Sequence, residues 1–502
     1  MRQREAYEWL ERHSRQTAYL RSAAELLAWD QRTSMPRAGH AHRAEQMATF
    51  ARLLHERATD PRVGERLADA HGAAGASPDD DASVNLREWR REFDKATRLP
   101  ARLAEELARA SAAGETAWEA ARPRDDWESF APHLERIVAL SREKAEAVGY
   151  SDEPYDALLD DFEPGETAAG IEEIFGVLER ELVSLLEAIR GAADGPDDRV
   201  LRGRFPADAQ AALGREIAAA LGYDFDAGRL DVTAHPFTVG VGPGDVRITT
   251  RYDEGYLAGA LFGTIHEAGH AMYEQGLPAV HFGTPLGEPP SLGVHESQSR
   301  LWENLVARSP GFWIWAHPLV RRRFDEPAGV SVERLHGAVN RVAPSLIRVE
   351  ADQVTYNLHI LLRFRLELAL LRGELDVRYL PGAWRDGARR LIGAAPETAR
   401  DGVMQDVHWA SGLIGYFPTY TLGNVYAAQL FDEAVGELGD LEERFARGDF
   451  APLLEWLRTN VHRAGGRFRP RELLREITGA APSARHLVDH LRDVNADRLH
   501  VR

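Results

Sequence analysis

Between residues 171 and 189, apolar side chains recur at intervals of three and four residues, with charged residues between them. This spacing puts them on one face of a helix, because an α-helix repeats every 3.6 residues. The apolar positions are Ile171, Ile174, Phe175, Leu178, Leu182, Leu185, Leu186 and Ile189. Similar spacing occurs over residues 130–138 and over residues 346–362. The pattern predicts a mostly α-helical protein.

Residues 235–250 have a different pattern. A Gly/Pro turn separates two short runs rich in Val, Ile and Thr, which predicts a β-hairpin. Residues 71–81 and 191–198 are rich in Gly, Ala and Asp, and we expect exposed loops there. Residues 276–293 form a longer loop with Gly and Pro throughout, and loops of this length in compact proteins are commonly functional or disordered.

Composition limits the chemistry and the partners. The 502 residues are 44% hydrophobic, which is enough for a large core, and the net charge of −18 argues against nucleic acid and anionic membranes as partners. No apolar run approaches 18 residues and the N-terminus lacks a signal-like apolar segment, so we expect a soluble, cytoplasmic protein. Because the chain has no cysteine, any metal site must use histidines and carboxylates.

Residues 266–270 read His-Glu-Ala-Gly-His. On a helix, His266 and His270 share one face and can bind the same ion, while Glu267 can hold a water on that ion without binding it. This division of roles is typical of zinc peptidases. Gly259 and Gly263 lie on the histidine face, and each glycine in a helix interior costs about 1 kcal/mol relative to alanine. We therefore expect another group to pack closely against this face of the helix.

A catalytic zinc needs a third protein ligand and an open position. The helical segment 294–303 offers Glu296 and Glu303 on one face, together with Arg300. Glu296 can also form an ordinary salt bridge with Arg300, and spacing alone separates it neither from Glu303 nor from His295.

Several further motifs, taken together and in order, resemble the carboxypeptidase Taq family of zinc metallocarboxypeptidases. They include His235-Pro236-Phe237, Asp245-Val246-Arg247-Ile248-Thr249, the 266–270 motif, His295-Glu296-Ser297-Gln298, Ile347-Arg348-Val349-Glu350-Ala351-Asp352, and residues 402–409, which end in Asp406-Val407-His408-Trp409. The resemblance also includes Trp29-Asp30-Gln31 with Met35-Pro36, and residues 155–161. Ser34 and Arg37 depart from the family pattern, which puts local packing in doubt.

The resemblance implies His266, His270 and Glu296 as zinc ligands and Glu267 as general base and acid. It implies a nearly all-helical fold in which two halves flank a long, deep groove, with the small hairpin near the zinc helix. Cobalt is expected to replace zinc, and a homodimer is expected. The implied activity is removal of single residues from peptide C-termini with broad specificity. We expect one peptidase domain over 1–502, with a helical subregion at 1–200, a catalytic subregion at about 230–430 and helices to the C-terminus.

A carboxypeptidase must bind the free carboxylate of its peptide substrate, and the planar fork of arginine suits that task. Arg348 and Arg247 both lie in family motifs. The alternative for Arg348 is an ion pair with Asp352, four residues later on a helical pattern, and the alternative for Arg247 is an exposed position on the hairpin.

Hydrolysis also needs a hydrogen-bond donor for the negative charge that develops on the carbonyl oxygen. The candidates are His408, Tyr416 and Tyr420. Asp352 and Asp406 are candidates for orienting a histidine ligand. We expect His235 and Phe237 to line the groove.

Two other functions remain compatible with these motifs. One is a zinc endopeptidase or peptidyl-dipeptidase of the same fold class, which would lack the carboxylate anchor. The other is a metal-stabilised scaffold without activity, which would be expected to lose Glu267 or a metal ligand, and neither is lost.

Overall fold

The computed structural model describes residues 2–70, 77–192, 195–325 and 329–496. Of the two predicted short loops, residues 71–76 and 193–194 lie outside the described residues. Residues 77–80 form a turn, and residues 195–197 have no regular structure. Both observations agree with the prediction over the described parts.

The described residues form twenty α-helices and three β-strands, so the prediction of a mostly α fold is confirmed. The helices are α1 (Arg2–Thr33), α2 (His40–Ala58), α3 (Pro61–Ala70), α4 (Asp81–Arg98), α5 (Ala101–Ala121), α6 (Trp127–Val148), α7 (Pro154–Leu159), α8 (Ala168–Arg190), α9 (Ala207–Leu221), α10 (Leu257–Gly276), α11 (Leu292–Arg300), α12 (Pro310–Arg321), α13 (Val332–Val339), α14 (Thr355–Arg372), α15 (Leu380–Leu391), α16 (Pro418–Leu438), α17 (Leu441–Ala446), α18 (Ala451–Asn460), α19 (Pro470–Thr478) and α20 (Ala484–Val494). The strands are β1 (Gly228–Val232), β2 (Thr238–Gly242) and β3 (Asp245–Thr250).

Helix α8 shows how the apolar pattern determines the packing. All eight apolar residues of the predicted stripe are buried in the main core. Thr167 caps the helix by accepting a hydrogen bond from the backbone N–H of Gly170, which satisfies one of the free donors of the first turn. Among the described helices, none is long and apolar enough to cross a bilayer.

The predicted hairpin is present as β2 and β3, which pair antiparallel through the turn at Pro243 and Gly244. Gly244 has φ +82°, a left-handed conformation that glycine adopts without strain. A third strand, β1, pairs in parallel with the other edge of β3. The sequence reading did not predict β1, whose residues Gly-Arg-Leu-Asp-Val lack a strong strand pattern.

The N-terminal helices have a small core of their own. Residues of α1, α3 and α4 form it, and it is separate from the main core. The side chains of Arg91 and Lys95 on α4 bind Asp160, at the end of α7, and Lys95 also binds Asp161. Ion pairs therefore join this N-terminal unit to the body of the protein.

The predicted helix over residues 346–362 begins later than its pattern indicates. Helix α14 starts at Thr355, and Arg348–Glu350 form only a 3₁₀ turn in which Val349 is 73% exposed. The Asp352 carboxylate accepts hydrogen bonds from the backbone N–H groups of Val354 and Thr355. An aspartate that caps a helix in this way marks its start, so the alternative of an Arg348–Asp352 pair within a helix is wrong.

A buried carboxylate connects three elements near the start of α11. Glu163 is fully buried and accepts hydrogen bonds from the Ser291 hydroxyl (2.9 Å), the Gly293 backbone N–H (3.0 Å) and the Tyr426 hydroxyl (3.0 Å). Burial raises the pKa of Glu163 to about 8, although these donors oppose the shift.

We predict that Glu163 makes stability fall as the pH rises. Its pKa is raised from 4.5 to about 8 in the folded protein, so its contribution is complete below the unfolded value and is lost as the pH rises through the folded value. Glutamine is neutral at every pH. The melting temperature of Glu163→Gln, relative to wild type, should therefore increase between about pH 5 and about pH 8. Thermal unfolding of metal-free protein measures this, and a difference that stays constant with pH would contradict it.

Candidate metal centre and active site

Two histidines one turn apart on α10 face a glutamate on α11. Glu296 Oε2 lies 3.3 Å from His270 Nε2 and 3.8 Å from His266 Nε2. One donor atom from each of the three residues lies within 4.8 Å of the other two. Glu296 is buried and both histidines are half-buried, so the three side chains converge on one shielded point.

Two of the separations between these donors are close to those of a tetrahedral metal site. Zinc with ligands at about 2.0–2.1 Å separates neighbouring donor atoms by about 3.3–3.4 Å. The His270–Glu296 separation of 3.3 Å agrees with this value, and the 3.8 Å between His266 and Glu296 is somewhat longer. The three donor atoms lie within 4.8 Å of one another, so the two imidazoles must move closer together to bind one ion. Two imidazole nitrogens with one carboxylate oxygen is also a donor set that zinc accepts in catalytic sites.

Close backbone packing on both sides of α11 sets the position of Glu296. A Cβ atom added to Gly269 of α10 would lie 2.7 Å from the Cα of Ser299. One added to Gly423 of α16 would lie 2.5 Å from the Cγ of Glu296. Only glycine allows both contacts, so α11 lies tightly between α10 and α16.

The close approach expected at Gly259 and Gly263 is not observed. Apart from the backbone of α10 itself, no described atom lies within 4 Å of a Cβ position at Gly263, and at Gly259 only the Tyr256 ring of the preceding turn comes near, at 3.4 Å. The close packing occurs instead at Gly269, inside the 266–270 motif. The face of α10 at Gly263 is open and leaves space beside the histidines.

The other nitrogen of His266 is hydrogen bonded to a carboxylate. His266 Nδ1 lies 2.8 Å from Glu303 Oε2, in the π-helical segment Leu301–Val306 that continues α11. Arg300 Nε donates to Glu296 at 2.7 Å, and Arg300 Nη1 donates to Glu303 at 3.2 Å. The Glu296–Arg300 pair, which the sequence offered as an alternative, therefore exists alongside the donor group formed by His266, His270 and Glu296. Glu303 contacts the Nδ1 side of His266 and is not part of that group.

His295 contacts the edge of the His270 ring that is turned away from Glu296. Its Nδ1 is 2.6 Å from His270 Nδ1, whereas the Nε2 of His270 faces Glu296. Of the three candidates that the sequence left open, only Glu296 joins both histidines in the donor group.

The two glutamates of this helix have low pKa values in spite of their burial. Burial alone would raise the pKa of Glu296, but Arg300 and the two histidines lower it well below its usual range. Burial likewise opposes ionisation of Glu303, while Arg300 and His266 hold its pKa at about 2. Both are therefore ionised at neutral pH, the state in which a carboxylate can bind a metal or support a ligand.

Glu267 is buried beside the donor group without being part of it. It is 7% exposed, and its Oε2 accepts a hydrogen bond of 2.6 Å from the Thr238 hydroxyl on β2. Burial raises the pKa of Glu267, although His266 and Thr238 oppose the shift. The hairpin thus holds the side chain of Glu267 in place, and nothing in the sequence reading predicted this contact.

Arg348 lies in a cluster of buried charges and aromatic rings. Its Nε and Nη2 donate to Asp406 Oδ1 at 3.0 and 2.8 Å, and its Nη1 donates to the Tyr356 hydroxyl at 3.2 Å. Arg363 binds the other oxygen of Asp406 at 2.6 Å. The Tyr356 ring also contacts the guanidinium of Arg300, at 4.4 Å from the ring centroid. Tyr356 therefore connects Arg348 to the helix of Glu296.

The expectation that Asp352 or Asp406 orients a histidine ligand is wrong. In the described part of the chain, Asp352 caps α14 and Asp406 binds two arginines. The groups that contact the ligand histidines are Glu303 and His295. Glu303 shares a helical face with Glu296 in the sequence, and that spacing was the available signal.

His408 and Tyr420 lie together against Arg348. His408 Nε2 is 3.1 Å from the Tyr420 hydroxyl, and the Arg348 guanidinium lies 4.9 Å from the Tyr420 ring centroid. Burial lowers the pKa of His408 to about 4, so its ring is neutral at neutral pH. Tyr416 packs against both rings.

Arg247, Phe237 and His235 lie elsewhere on the sheet. Arg247 makes two hydrogen bonds of 2.7 Å with Asp245 and lies over the Trp29 ring of α1. Phe237 contacts Arg32 of α1, and His235 is exposed in the segment before β2. Thr238 is opposite Ile248, so its side chain and that of Arg247 point to opposite faces of the sheet. Arg247 thus faces α1, away from Glu267.

Comparisons with known proteins agree with this arrangement. The family described as Carboxypeptidase Taq (M32) metallopeptidase matches residues 9–494, and the chain belongs to that family. The thermostable carboxypeptidase 1 of Thermus thermophilus is 55% identical over 496 residues, covering 97% of both chains. The carboxypeptidase 1 of Bacillus subtilis is 36% identical and covers 93% of this chain and 94% of its own.

Solved structures are similar over nearly the whole chain. The M32 carboxypeptidase from Deinococcus radiodurans has a TM-score of 0.95 at 40% identity, covering 99% of this chain and all of its own. The metallocarboxypeptidase 1 of Trypanosoma cruzi has a TM-score of 0.92 at 33% identity, covering 98% and 99%. The resemblance read from the sequence is confirmed. The protein is a peptide hydrolase of a metallopeptidase family, and the scaffold alternative is excluded.

We predict that alanine at His266, His270 or Glu296 removes the bound metal, because each replacement leaves two donors. Glu303→Ala should keep one metal per chain at saturation with about 10–100-fold weaker affinity, because it acts through His266. Elemental analysis after dialysis, followed by titration against a chelator, measures both quantities. An empty Glu303 variant beside a full Glu296 variant would reverse the two assignments.

Proposed function

We propose that the protein is a zinc-dependent carboxypeptidase that removes single residues from peptide C-termini with broad specificity. The observation that carries this proposal is the His266–His270–Glu296 donor group beside a buried carboxylate, Glu267, that is not one of its donors. Cobalt is expected to substitute for zinc at the same donors, and we expect a homodimer in solution.

The chemistry divides between the ion and Glu267. When bound, zinc would acidify a water molecule and polarise the scissile carbonyl group. Glu267 would accept the proton of that water and deliver it to the leaving amine. Its hydrogen bond from Thr238 engages Oε2, which leaves Oε1 free for this proton transfer. A raised pKa suits the role, because a group that both accepts and returns a proton works best near the ambient pH.

We predict that Glu267→Gln retains metal but loses activity by about 10²–10⁴-fold in kcat, because an amide cannot accept the proton. Thr238→Val is the matched control. It removes the hydrogen bond but leaves the carboxylate, and its loss should be much smaller. Steady-state hydrolysis of a blocked dipeptide measures kcat. A Glu267→Gln variant with a third of wild-type kcat would remove this residue from the mechanism.

Arg348 is the proposed anchor for the substrate carboxylate. Two buried arginines, Arg348 and Arg363, share one carboxylate, Asp406, so this cluster has an excess of one positive charge. A buried excess charge is unfavourable, and a substrate carboxylate would neutralise it. Arg348 uses Nε and one N–H on each terminal nitrogen for Asp406 and Tyr356, which leaves donors for a ligand. Arg247 is already paired with Asp245 and faces α1.

We predict that Arg348→Ala lowers kcat/KM for a free-acid dipeptide by about 10–150-fold, the equivalent of roughly 1.5–3 kcal/mol for a charge-assisted hydrogen bond. The loss should largely disappear with the amidated dipeptide, which has no carboxylate. Lysine should restore only part of the activity, because it cannot form two parallel bonds. Arg247→Ala is the control with a smaller effect. A carboxylate-dependent loss in Arg247→Ala instead would exchange the two roles.

Tyr420 is the proposed donor to the developing oxyanion. The Nδ1 of His408 is buried and has no hydrogen-bond partner among the described residues. Burying an N–H without an acceptor is costly, which favours the tautomer whose proton is on Nε2. That nitrogen then donates to the Tyr420 oxygen. The Tyr420 hydroxyl proton is thereby free to donate to another group, such as the substrate oxygen or Tyr416.

The alternative is cleavage away from the C-terminus, as in an endopeptidase or a peptidyl-dipeptidase. Hydrolysis of a blocked peptide series as free acids and as amides tests it, with chelator added and zinc or cobalt restored. Release of single residues from the acids alone supports the proposal. Cleavage of the amides at an equal rate, or release of dipeptides, would contradict it.

A further inference from the structure

On the side of His270 away from Glu296, the side chains of His270, His295 and Glu274 form a hydrogen-bonded line. The Nδ1 of His270 lies 2.6 Å from the Nδ1 of His295 and 3.1 Å from the His295 carbonyl oxygen. The Nε2 of His295 lies 2.8 Å from Glu274 Oε1. The edge of the Tyr273 ring packs against His295 with centroids 5.4 Å apart, which restrains the imidazole.

With both imidazoles neutral, the hydrogen bonds of this line run in one direction, and the His295 carbonyl oxygen, which can only accept, requires the same direction at His270 Nδ1. The Glu274 carboxylate accepts hydrogen bonds, so the His295 proton must be on Nε2. The Nδ1 of His295 is then an acceptor, and the proton of His270 must be on its own Nδ1. This leaves the lone pair of His270 on Nε2, the nitrogen that faces Glu296. The line therefore selects the tautomer of His270 that can bind a metal.

Glu274 lies on α10, where this helix faces α1 of the N-terminal unit. The backbone of Gly240 on β2 approaches it closely, since a Cβ there would lie 2.8 Å from Glu274 Oε2. Beyond it is a cavity of about 160 Å³, lined also by Arg21 and Glu25 of α1 and by Glu288. Glu274 is thus the outer end of a line that begins at the donor group.

The two ligand histidines are supported differently. His266 is bonded directly to Glu303, and Arg300 binds both Glu303 and Glu296. His270 reaches its carboxylate, Glu274, only through a second imidazole. An imidazole can transmit this support because one of its nitrogens accepts while the other donates.

We propose that His295 and Glu274 are positioning residues that raise metal affinity by fixing the tautomer and orientation of His270, with Glu274 acting only through His295. This inference depends on the proposed metal site. Partners of metal-binding histidines commonly contribute about 10–100-fold to metal affinity.

The test is a double-mutant cycle on zinc affinity, measured by competition with a chelator. Glu274→Gln keeps an acceptor for His295 but removes the charge, and it should weaken zinc binding by about tenfold or more. His295→Phe keeps a ring against Tyr273 but breaks the line. The double variant should match His295→Phe alone, because among the described residues Glu274 contacts His270 through His295. Glu288→Gln is the matched control, since it removes a carboxylate from the same cavity without contact to His295, and its affinity should equal that of wild type. Burial raises the pKa of Glu288 to about 7, so the variants are compared above that pH, where Glu288 is ionised.

Further measurements separate this role from general stability. The visible absorption of bound cobalt should change in Glu274→Gln and not in Glu288→Gln, because only the former alters a ligand. Independent, additive effects of Glu274→Gln and His295→Phe would overturn the proposal, as would equal losses in the Glu274 and Glu288 variants. If His295→Phe does not fold, the comparison of Glu274→Gln with Glu288→Gln still tests the proposal. A wild-type protein that binds no zinc would refute the proposed function itself.

Discussion

The position of helix α11 between α10 and α16 is the constraint on which the site depends. Gly269 and Gly423 allow backbone to touch backbone or the stem of Glu296 on both sides. A side chain at either glycine would displace Glu296 by more than a metal site tolerates, because its ligands must be placed within a few tenths of an ångström. Glu163 fixes the start of the same helix through Ser291 and Gly293. Glu296, the proposed third ligand, is thus held from both faces and from one end.

Two fully buried carboxylates near this helix, Glu163 and Glu367, each accept hydrogen bonds from three donors. Glu367 accepts hydrogen bonds from the Tyr155 hydroxyl, the Trp409 indole N–H and the Gly415 backbone N–H. It joins α14 to the segment that leads into Tyr416. Removing one partner leaves a buried polar group without its hydrogen bond, which costs about 1–3 kcal/mol, so such groups hold their neighbours in one arrangement.

The sequence predicted the parts of this molecule that depend on local spacing. The helical faces of α8 and α10, the hairpin and the convergence of His266 and His270 all follow from periodicity or from a short motif. Prediction from the sequence failed where a side chain ends a helix that the apolar spacing would continue. Asp352 has helical spacing from Arg348, but its short carboxylate caps α14 instead, and this frees Arg348 to bind Asp406.

Contacts between distant segments were beyond sequence reasoning. Glu296, Glu303 and His295 were equivalent candidates by spacing, and only the packing of α11 on α10 separates them. The contact of Thr238 with Glu267 and the bond of His295 to Glu274 likewise depend on how the sheet and two helices meet. These are side-chain contacts across 21 or more residues of sequence, for which no local pattern exists.

The surroundings of Arg348 bear on why the proposed cleavage would stop at one residue. Behind its guanidinium lie Asp406 and the fully buried Arg363, which itself lies 4.5 Å from the Trp384 ring centroid and 5.3 Å from that of Phe417. If Arg348 is the anchor, as proposed, a peptide that continued past it would have to displace this packed wall, with its two arginines sharing one carboxylate. A terminal carboxylate needs no such space, and its charge matches the excess there. Low exposure strengthens that attraction, because charges interact more strongly away from water. Shape and charge at this wall therefore favour the end of a peptide over its middle.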